Sequence, residues 1–194
     1  MTETASGDGA LRGASRKPTR EATRHVMQAN KSKNTKPELK VREALRAAGL
    51  SGYRLHWKKA PGKPDICFPG RSVAIFVNGC FWHRCPHCGL PMPKSNVAFW
   101  QAKFDRNRAR DARDNALLVS AGWTVITIWE CRLKKGRFDA TMAEVVREIR
   151  RSEALAAAAG GVRRCPGRLV EVGSAPAWRI RRVRLRRRAR QHSR

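Results

Sequence analysis

The chain has 194 residues, of which 41% are apolar, enough to build the core of one ordinary domain. Its 42 lysines and arginines face only 15 aspartates and glutamates, which gives a formal net charge of +27. This excess predicts a polyanionic partner, and nucleic acid is the first choice. No apolar run is long enough for a signal peptide or a membrane span, so we expect a cytoplasmic, nucleoid-associated protein with no membrane partner.

The first elements are marked by their capping and turn residues. Residues 1–22 are rich in small and charged side chains and are expected to form a disordered lead. In "NTKPELKVREALRAAGL", Thr35 and Glu38 have capping-box spacing and Gly49 is a stop, which predicts an amphipathic helix. The stretches "YRLHW", "DICF" and "VAIFV", separated by "APGKP" and "PGR", predict a meander of three strands.

The second half of the chain alternates helix and strand. A polar helix is predicted from Asn96 to about Ala121, then the strand "WTVITIW" and the helix "ATMAEVVREIRRSEALAAAA". This order predicts an α/β domain over residues 23–158, with a mixed sheet flanked by helices. Residues 159–194, with nine arginines from Arg179 onward, are expected to be a basic, flexible tail outside the fold.

The segment "GCFWHRCPHC" concentrates possible metal ligands. In a reducing compartment its cysteines suit a metal better than disulfides. A fourth thiol directly after the strand "WTVITIWE" would complete a closed, structural zinc site. His87 is the alternative ligand, whereas Cys67 and Cys165 are interpreted as ordinary cysteines. The predicted thiolate ligands are Cys80, Cys85, Cys88 and Cys131.

Several polar residues are candidates for catalysis. In "PGKPD", Asp65 begins a strand after a turn, where it could hold a divalent cation or serve the turn alone. The capping box explains Glu38, and a role near the metal is the alternative. His83 could be a general base or acid, or a zinc ligand. Asp111 could orient it, or pair with a neighbouring arginine.

These motifs together resemble the very-short-patch repair (Vsr) endonucleases, which nick DNA beside a T:G mismatch left by deamination of 5-methylcytosine. The resemblance covers roughly Arg24 to Lys135. It is carried, in family order, by "NTKPELKVR", "PGKPD", "VAIFVNGCFWHRCPHC", "PKSNVAFW", "RDARD" and "GWTVITIWEC".

The resemblance implies a restriction-endonuclease-like fold and a role for each matching residue. Asp65 matches the aspartate that binds Mg²⁺, Val77 would contact it through its backbone carbonyl, and Glu38 matches a glutamate that acts through water. His83 matches the histidine that activates the attacking water, and Asp111 matches its acid partner. The structural zinc ligands match the four cysteines above, and the one at position 85 replaces a histidine of some members.

The resemblance also assigns the aromatic residues. Phe81, Trp82 and Trp100 match rings that the family pushes into the DNA stack beside the mismatch, although a core role for Phe81 or Trp100 stays open. Met27 would add a contact from the minor groove. Asn78 stands where some members have histidine and removes a possible acid for the leaving oxygen, which affects rate and metal preference.

The expected protein is therefore a monomeric endonuclease with catalytic Mg²⁺ and structural Zn²⁺. It would nick duplex DNA 5′ to the T of a T:G mismatch and start very short patch repair, with repair proteins as possible partners. The alternatives are a nuclease of the same fold without mismatch specificity, and a non-catalytic, zinc-containing DNA-binding protein.

Overall fold

The computed structural model describes residues 33–158 and 167–173. The predicted lead at 1–22, Met27, Cys165 and the arginines from Arg179 onward lie outside these residues. Within them, no helix is long and apolar enough to cross a membrane. The helices are α1 (Lys36–Ala47), α2 (Val97–Ser120) and α3 (Phe138–Ala158), and the strands are β1 (Arg54–Leu55), β2 (Ile66–Phe68), β3 (Val73–Asn78), β4 (Thr124–Trp129) and β5 (Arg168–Glu171).

The strands form one mixed sheet in the order β1-β2-β3-β4-β5. β1, β2 and β3 are antiparallel neighbours, and Ile66 pairs with Ile75. β3, β4 and β5 are parallel, and Val77 pairs with Ile128. The predicted meander and the mixed sheet flanked by helices are confirmed. Because parallel strands end at the same edge, the loop after β3 and the 3₁₀ helix Glu130–Leu133 after β4 lie close together.

Helix α1 begins where the capping box predicts. The side chain of Thr35 accepts from the backbone N–H of Glu38, and the side chain of Glu38 accepts from the backbone N–H of Thr35. This exchange satisfies two of the donors that a helix leaves unpaired at its start. The carboxylate of Glu38 is thereby held at a fixed place beside the sheet.

Helices cover both faces of the sheet because the central strands are apolar on both sides. On one face, α1 and α3 bury Val41 and Val145 against Ile75 and Ile126. On the other face, Leu118 of α2 packs on Ala74 and Val125. All residues of β4 are buried, as a strand between two neighbours and two helical layers requires.

The boundary of the fold differs from the one predicted at residue 158. β5 pairs in parallel with β4, with Thr124 opposite Arg168 and Thr127 opposite Glu171, and Val172 is fully buried. Residues 167–173 therefore belong to the sheet and not to a tail outside the fold. Four residues of strand within an arginine-rich composition gave no alternation from which the pairing could be predicted.

Candidate active site and cysteine cluster

Asp65 directly precedes β2, next to the last part of β3. Its Oδ2 accepts a hydrogen bond of 2.8 Å from the backbone N–H of Val77. Burial raises the pKa of Asp65 to about 6, against the lowering effect of the Val77 N–H and with a further increase from the charge of Glu38. The structure thus brings Val77 to Asp65 through its N–H, while a metal contact by its carbonyl stays a prediction.

Both carboxylate oxygens of Glu38 are already occupied. Oε1 accepts from the hydroxyl of Thr35 at 2.7 Å, and Oε2 accepts from the backbone N–H of Asn34 at 3.0 Å. Arg42, buried one turn along α1, donates to Oε2 at 2.9 Å. Glu38 is therefore a fixed negative charge near Asp65, and its oxygens act as hydrogen-bond acceptors and not as free metal ligands.

His56 is a site residue that the sequence analysis did not single out. Its Nδ1 is 3.7 Å from Asp65 Oδ1 and its Nε2 is 3.5 Å from Glu38 Oε2. One ligand atom from each of Glu38, His56 and Asp65 lies within 4.8 Å of the others. Burial lowers the pKa of His56 below 6.5, only partly offset by the charge of Glu38. A neutral imidazole and a carboxylate are a donor set that fits a divalent cation.

The sequence contained a signal for His56 that only the strand register makes readable. His56 directly follows β1, and its backbone N–H donates to the carbonyl of Asp65 at 3.3 Å, which extends the β1–β2 pairing. In "YRLHW" the histidine looked like one more alternating residue of a strand. Knowing that this strand pairs with "DICF" places it directly across from the aspartate.

His83 and Asp111, which the resemblance pairs, are in contact, while their catalytic roles stay predictions. The Nδ1 atom of His83 makes a short hydrogen bond with Asp111 Oδ2, and Arg110 donates to the other oxygen at 3.2 Å. Burial raises the pKa of Asp111, but the hydrogen bond and charge of His83 and the contact with Arg110 outweigh it, so the pKa is lowered. The charge of His83 also lowers the pKa of Asp65, as the smallest of the effects on that carboxyl.

The aromatic residues of the loop after β3 form one cluster. Phe81 is in edge contact with Trp82, Trp100 and the buried Phe104, at centroid distances of 5.1, 5.4 and 5.3 Å. Phe81, Trp82 and Trp100 are only partly buried, and Phe99, which the sequence analysis did not assign to DNA, is 51% exposed beside them. The cluster therefore has a buried base at Phe104 and a wide accessible rim.

The four predicted thiols meet at one point. The Sγ atoms of Cys80, Cys85, Cys88 and Cys131 lie within 4.8 Å of one another, and Cys85 and Cys131 are 3.8 Å apart. Four thiolates at about 2.3 Å around a tetrahedral zinc would be about 3.8 Å apart, so the group fits such an ion. His87 lies outside this group, with its Nε2 3.2 Å from Glu171 Oε1.

Burial and mutual contact shift the pKa values of three of the thiols in different directions. Burial raises the pKa of Cys80, and it raises that of Cys85 to about 11. Burial also raises the pKa of Cys88, but hydrogen bonds from Cys131, Cys80 and Cys85 outweigh it and the pKa is lowered. A bound cation stabilises thiolates, so a metal ion would offset the cost of ionising the buried thiols of Cys80 and Cys85.

Comparison with known proteins shows the family to which this chain belongs. The family model described as DNA mismatch endonuclease Vsr matches residues 16–89. The type II nicking enzyme V.XorIIP of Xanthomonas oryzae pv. oryzae (strain KACC10331 / KXO85) is 43% identical over 128 residues, which are 65% of this chain and 93% of that protein. The chain belongs to the Vsr family. Its fold is accordingly restriction-endonuclease-like, and it is a Vsr-like DNA endonuclease.

Two further relatives show the range of names among similar proteins. The DNA mismatch endonuclease Vsr of Escherichia coli (strain K12) is 36% identical over 109 residues, 56% of this chain and 69% of that protein. The type II nicking enzyme V.NaeI of Lentzea aerocolonigenes is 44% identical over 109 residues, 54% of this chain and 64% of that protein. The family match ends at residue 89, before Trp100, Asp111 and Cys131, and these relatives align over longer stretches.

Proposed function

We propose that this Vsr-family chain nicks duplex DNA 5′ to the T of a T:G mismatch and so starts very short patch repair. The observation that carries the proposal is the continuity of the loop after β3. Phe81 and Trp82, which are partly exposed members of the aromatic cluster, are followed directly by His83, which is held by Asp111 and whose charge acts on Asp65. A group that opens DNA and a group that reacts with it thus share one short loop.

The polar residues would divide the hydrolysis between them. Asp65 would hold Mg²⁺, because its Oδ2 is occupied by the Val77 N–H and its Oδ1 remains for a ligand. When bound, the cation supplies positive charge to the scissile phosphate and the leaving 3′ oxygen. His83 takes the proton of the attacking water through Nε2, since Nδ1 is engaged by Asp111, which orients the ring and stabilises its charged form.

The aromatic cluster would supply part of the selectivity. Wedging a side chain between base steps costs about a few kcal/mol, and a T:G wobble pair is opened more cheaply than a Watson–Crick pair. The contact of Phe81 with buried Phe104 gives the wedge a rigid base, and Lys103 Nζ lies 4.8 Å over the ring of Trp82, where it adds charge for the backbone.

The cysteine cluster would bind structural Zn²⁺. It ties the loop after β3 to the 3₁₀ helix after β4. Three of the cysteines, Cys80, Cys85 and Cys88, lie in that loop, and Cys131 lies in the 3₁₀ helix. A closed four-thiolate site leaves no position for substrate, so its role is to stiffen the wedge and not to react. We propose that the protein works as a monomer in the cytoplasm, at the nucleoid, with repair proteins as further partners.

The test is cleavage of labelled duplexes by the purified protein with Mg²⁺. One duplex carries a single T:G pair in a methyltransferase-like site, and the control has C:G at that position. A nick 5′ to the mismatched T, absent from the matched duplex and from the Asp65→Ala variant, is the expected result. Binding of DNA without any cutting would sink the proposal and favour a non-catalytic, zinc-containing DNA-binding protein.

A second candidate function follows from the names of the relatives. Several similar proteins are called type II nicking enzymes, which does not specify a mismatch. A nuclease of the same fold without mismatch specificity would use the same Asp65 and His83. It would cut the matched and mismatched duplexes equally in the experiment above, and Trp100→Ala would then leave the ratio between the two rates unchanged.

A further inference from the structure

The distance between the side chains of His56 and Asp65 suits two ligands that bind one cation. The 3.7 Å between His56 Nδ1 and Asp65 Oδ1 is too long for a hydrogen bond. Two atoms that bind one cation at about 2.1 Å each are about 3–4 Å apart, depending on the angle between them. The hydrogen-bond partner of Asp65 Oδ2 is the Val77 N–H, so Oδ1 is the oxygen that faces this gap.

The opposite side of the His56 ring is prepared for the same orientation. Nε2 lies 3.5 Å from Glu38 Oε2 and 3.4 Å from Arg42 Nη2. Arg42 can only donate, so the ring tautomer that leaves Nδ1 free for a metal, with its proton on Nε2, has Glu38 as its partner and not Arg42. A histidine that binds a metal through one nitrogen commonly gives the proton on its other nitrogen to a carboxylate, which fixes the ring. Glu38, held by Thr35, Asn34 and Arg42, is such an acceptor.

The backbone also holds the ring at this place. His56 has a φ of 45°, in the left-handed region that costs a non-glycine residue of order 1 kcal/mol. Its N–H bond to the carbonyl of Asp65 keeps it there. This conformation turns the chain at the end of β1 and leaves the imidazole between the two carboxylates instead of on a face of the sheet.

From this arrangement we infer that His56 is a direct ligand of the divalent cation at Asp65, bound through Nδ1, and that Glu38 is the acceptor that orients its ring. The inference rests on the proposed function and deepens its metal site. It gives the site an imidazole in addition to oxygen donors, and imidazole favours Mn²⁺ and later transition metals over Mg²⁺. The enzyme should therefore bind Mn²⁺ more tightly than Mg²⁺, and His56 should be the cause.

The experiment uses the full-length, zinc-loaded protein with Mn²⁺ as the probe. Electron paramagnetic resonance titration gives the Mn²⁺ affinity, and electron spin echo envelope modulation detects a ¹⁴N nucleus bound to the ion. The main variant is His56→Asn, because asparagine tolerates a positive φ and keeps the turn while it removes the imidazole. His83→Ala, which removes a charge that acts on Asp65, is the matched control for a histidine that does not bind the ion, and circular dichroism verifies that each variant is folded.

We expect the wild type and His83→Ala to show the nitrogen modulation and His56→Asn to lose it, with at least about tenfold weaker Mn²⁺ binding and a smaller effect on Mg²⁺. Modulation that persists in folded His56→Asn, or unchanged Mn²⁺ affinity, would overturn the inference alone. Asp65→Asn distinguishes failure of this inference from failure of the proposed function. If this variant still binds Mn²⁺ like the wild type, the metal site of the proposed function is itself misplaced.

Discussion

The charge of the partly buried Asp65 carboxylate should lower the free energy of unfolding when no divalent cation is present. Its pKa is raised from 3.8 to about 6 by burial, and its side chain is only 21% exposed. A shift of this size corresponds to about 3 kcal/mol of unfavourable free energy for the charged form in the folded state, at about 1.4 kcal/mol per pH unit. Asp65→Asn removes the charge while its amide oxygen can still accept from the Val77 N–H.

The direction of the pKa shift determines how the stability of the protein changes with pH. The folded state binds the proton more tightly than the unfolded state, so wild-type stability falls as the pH rises from about 4 through about 6 and is then level. Asp65→Asn should therefore be more stable than the wild type by up to about 3 kcal/mol at pH 8, and the difference should disappear near pH 4.

The assay is urea unfolding followed by tryptophan fluorescence at several pH values, with zinc-loaded protein and no added divalent cation. Asp105→Asn, a substitution of an exposed aspartate on α2, is the matched control and should change the stability by less than about 0.5 kcal/mol. Added Mg²⁺ should stabilise the wild type and not Asp65→Asn. A variant that is less stable at pH 8, or a difference that does not depend on pH, would show that burial does not strain this carboxylate.

Four further substitutions test the remaining parts of the site. Asp111→Asn should lower the cleavage rate by about 10²-fold to 10⁴-fold with unchanged DNA affinity, and a normal rate would exclude its orienting role. Trp100→Ala should weaken binding to T:G duplex by about 1–3 kcal/mol in a competition assay against matched DNA, whereas an equal loss on both would refute a wedge. Cys131→Ser should reduce the zinc content measured by mass spectrometry, and Cys67→Ser should not. Thr35→Ala should lower the free energy of unfolding by about 1 kcal/mol through the capping box, and no change in urea unfolding would contradict it.

The parts of the fold that could be predicted are those with local signals. Thr35 and Glu38 define the start of α1 by themselves, because a capping box involves only neighbouring residues. The turns "APGKP" and "PGR" define the meander in the same way. The cysteines of one loop were recognised by their spacing, and Cys131 by its place directly after a strand. Cys131 comes close to the other three thiols because β3 and β4 are parallel and end at the same edge of the sheet.

What could not be predicted depends on contacts between distant residues. β5 pairs with β4 although the whole of α3 lies between them in the sequence. Its residues, Arg168 to Glu171, show no alternation of apolar and polar side chains. His56 becomes a site residue only through the register that places it beside Asp65. The accessible position of Phe99 likewise depends on how α2 lies against the loop after β3, which periodicity does not specify.

The pairing of β5 with β4 determines where the chain can be shortened. β4 is buried along its length, and truncation at residue 158 would leave one row of its N–H and C=O groups open to another molecule. Such a protein should aggregate. Its insolubility would then be wrongly attributed to the loss of the arginines at the end of the chain. A chain that ends at Gly173 keeps the short β5, with Arg168 and Glu171 at its ends, as a charged sheet edge that discourages such pairing. Comparing the two truncations separates closure of the sheet from DNA binding by the arginines.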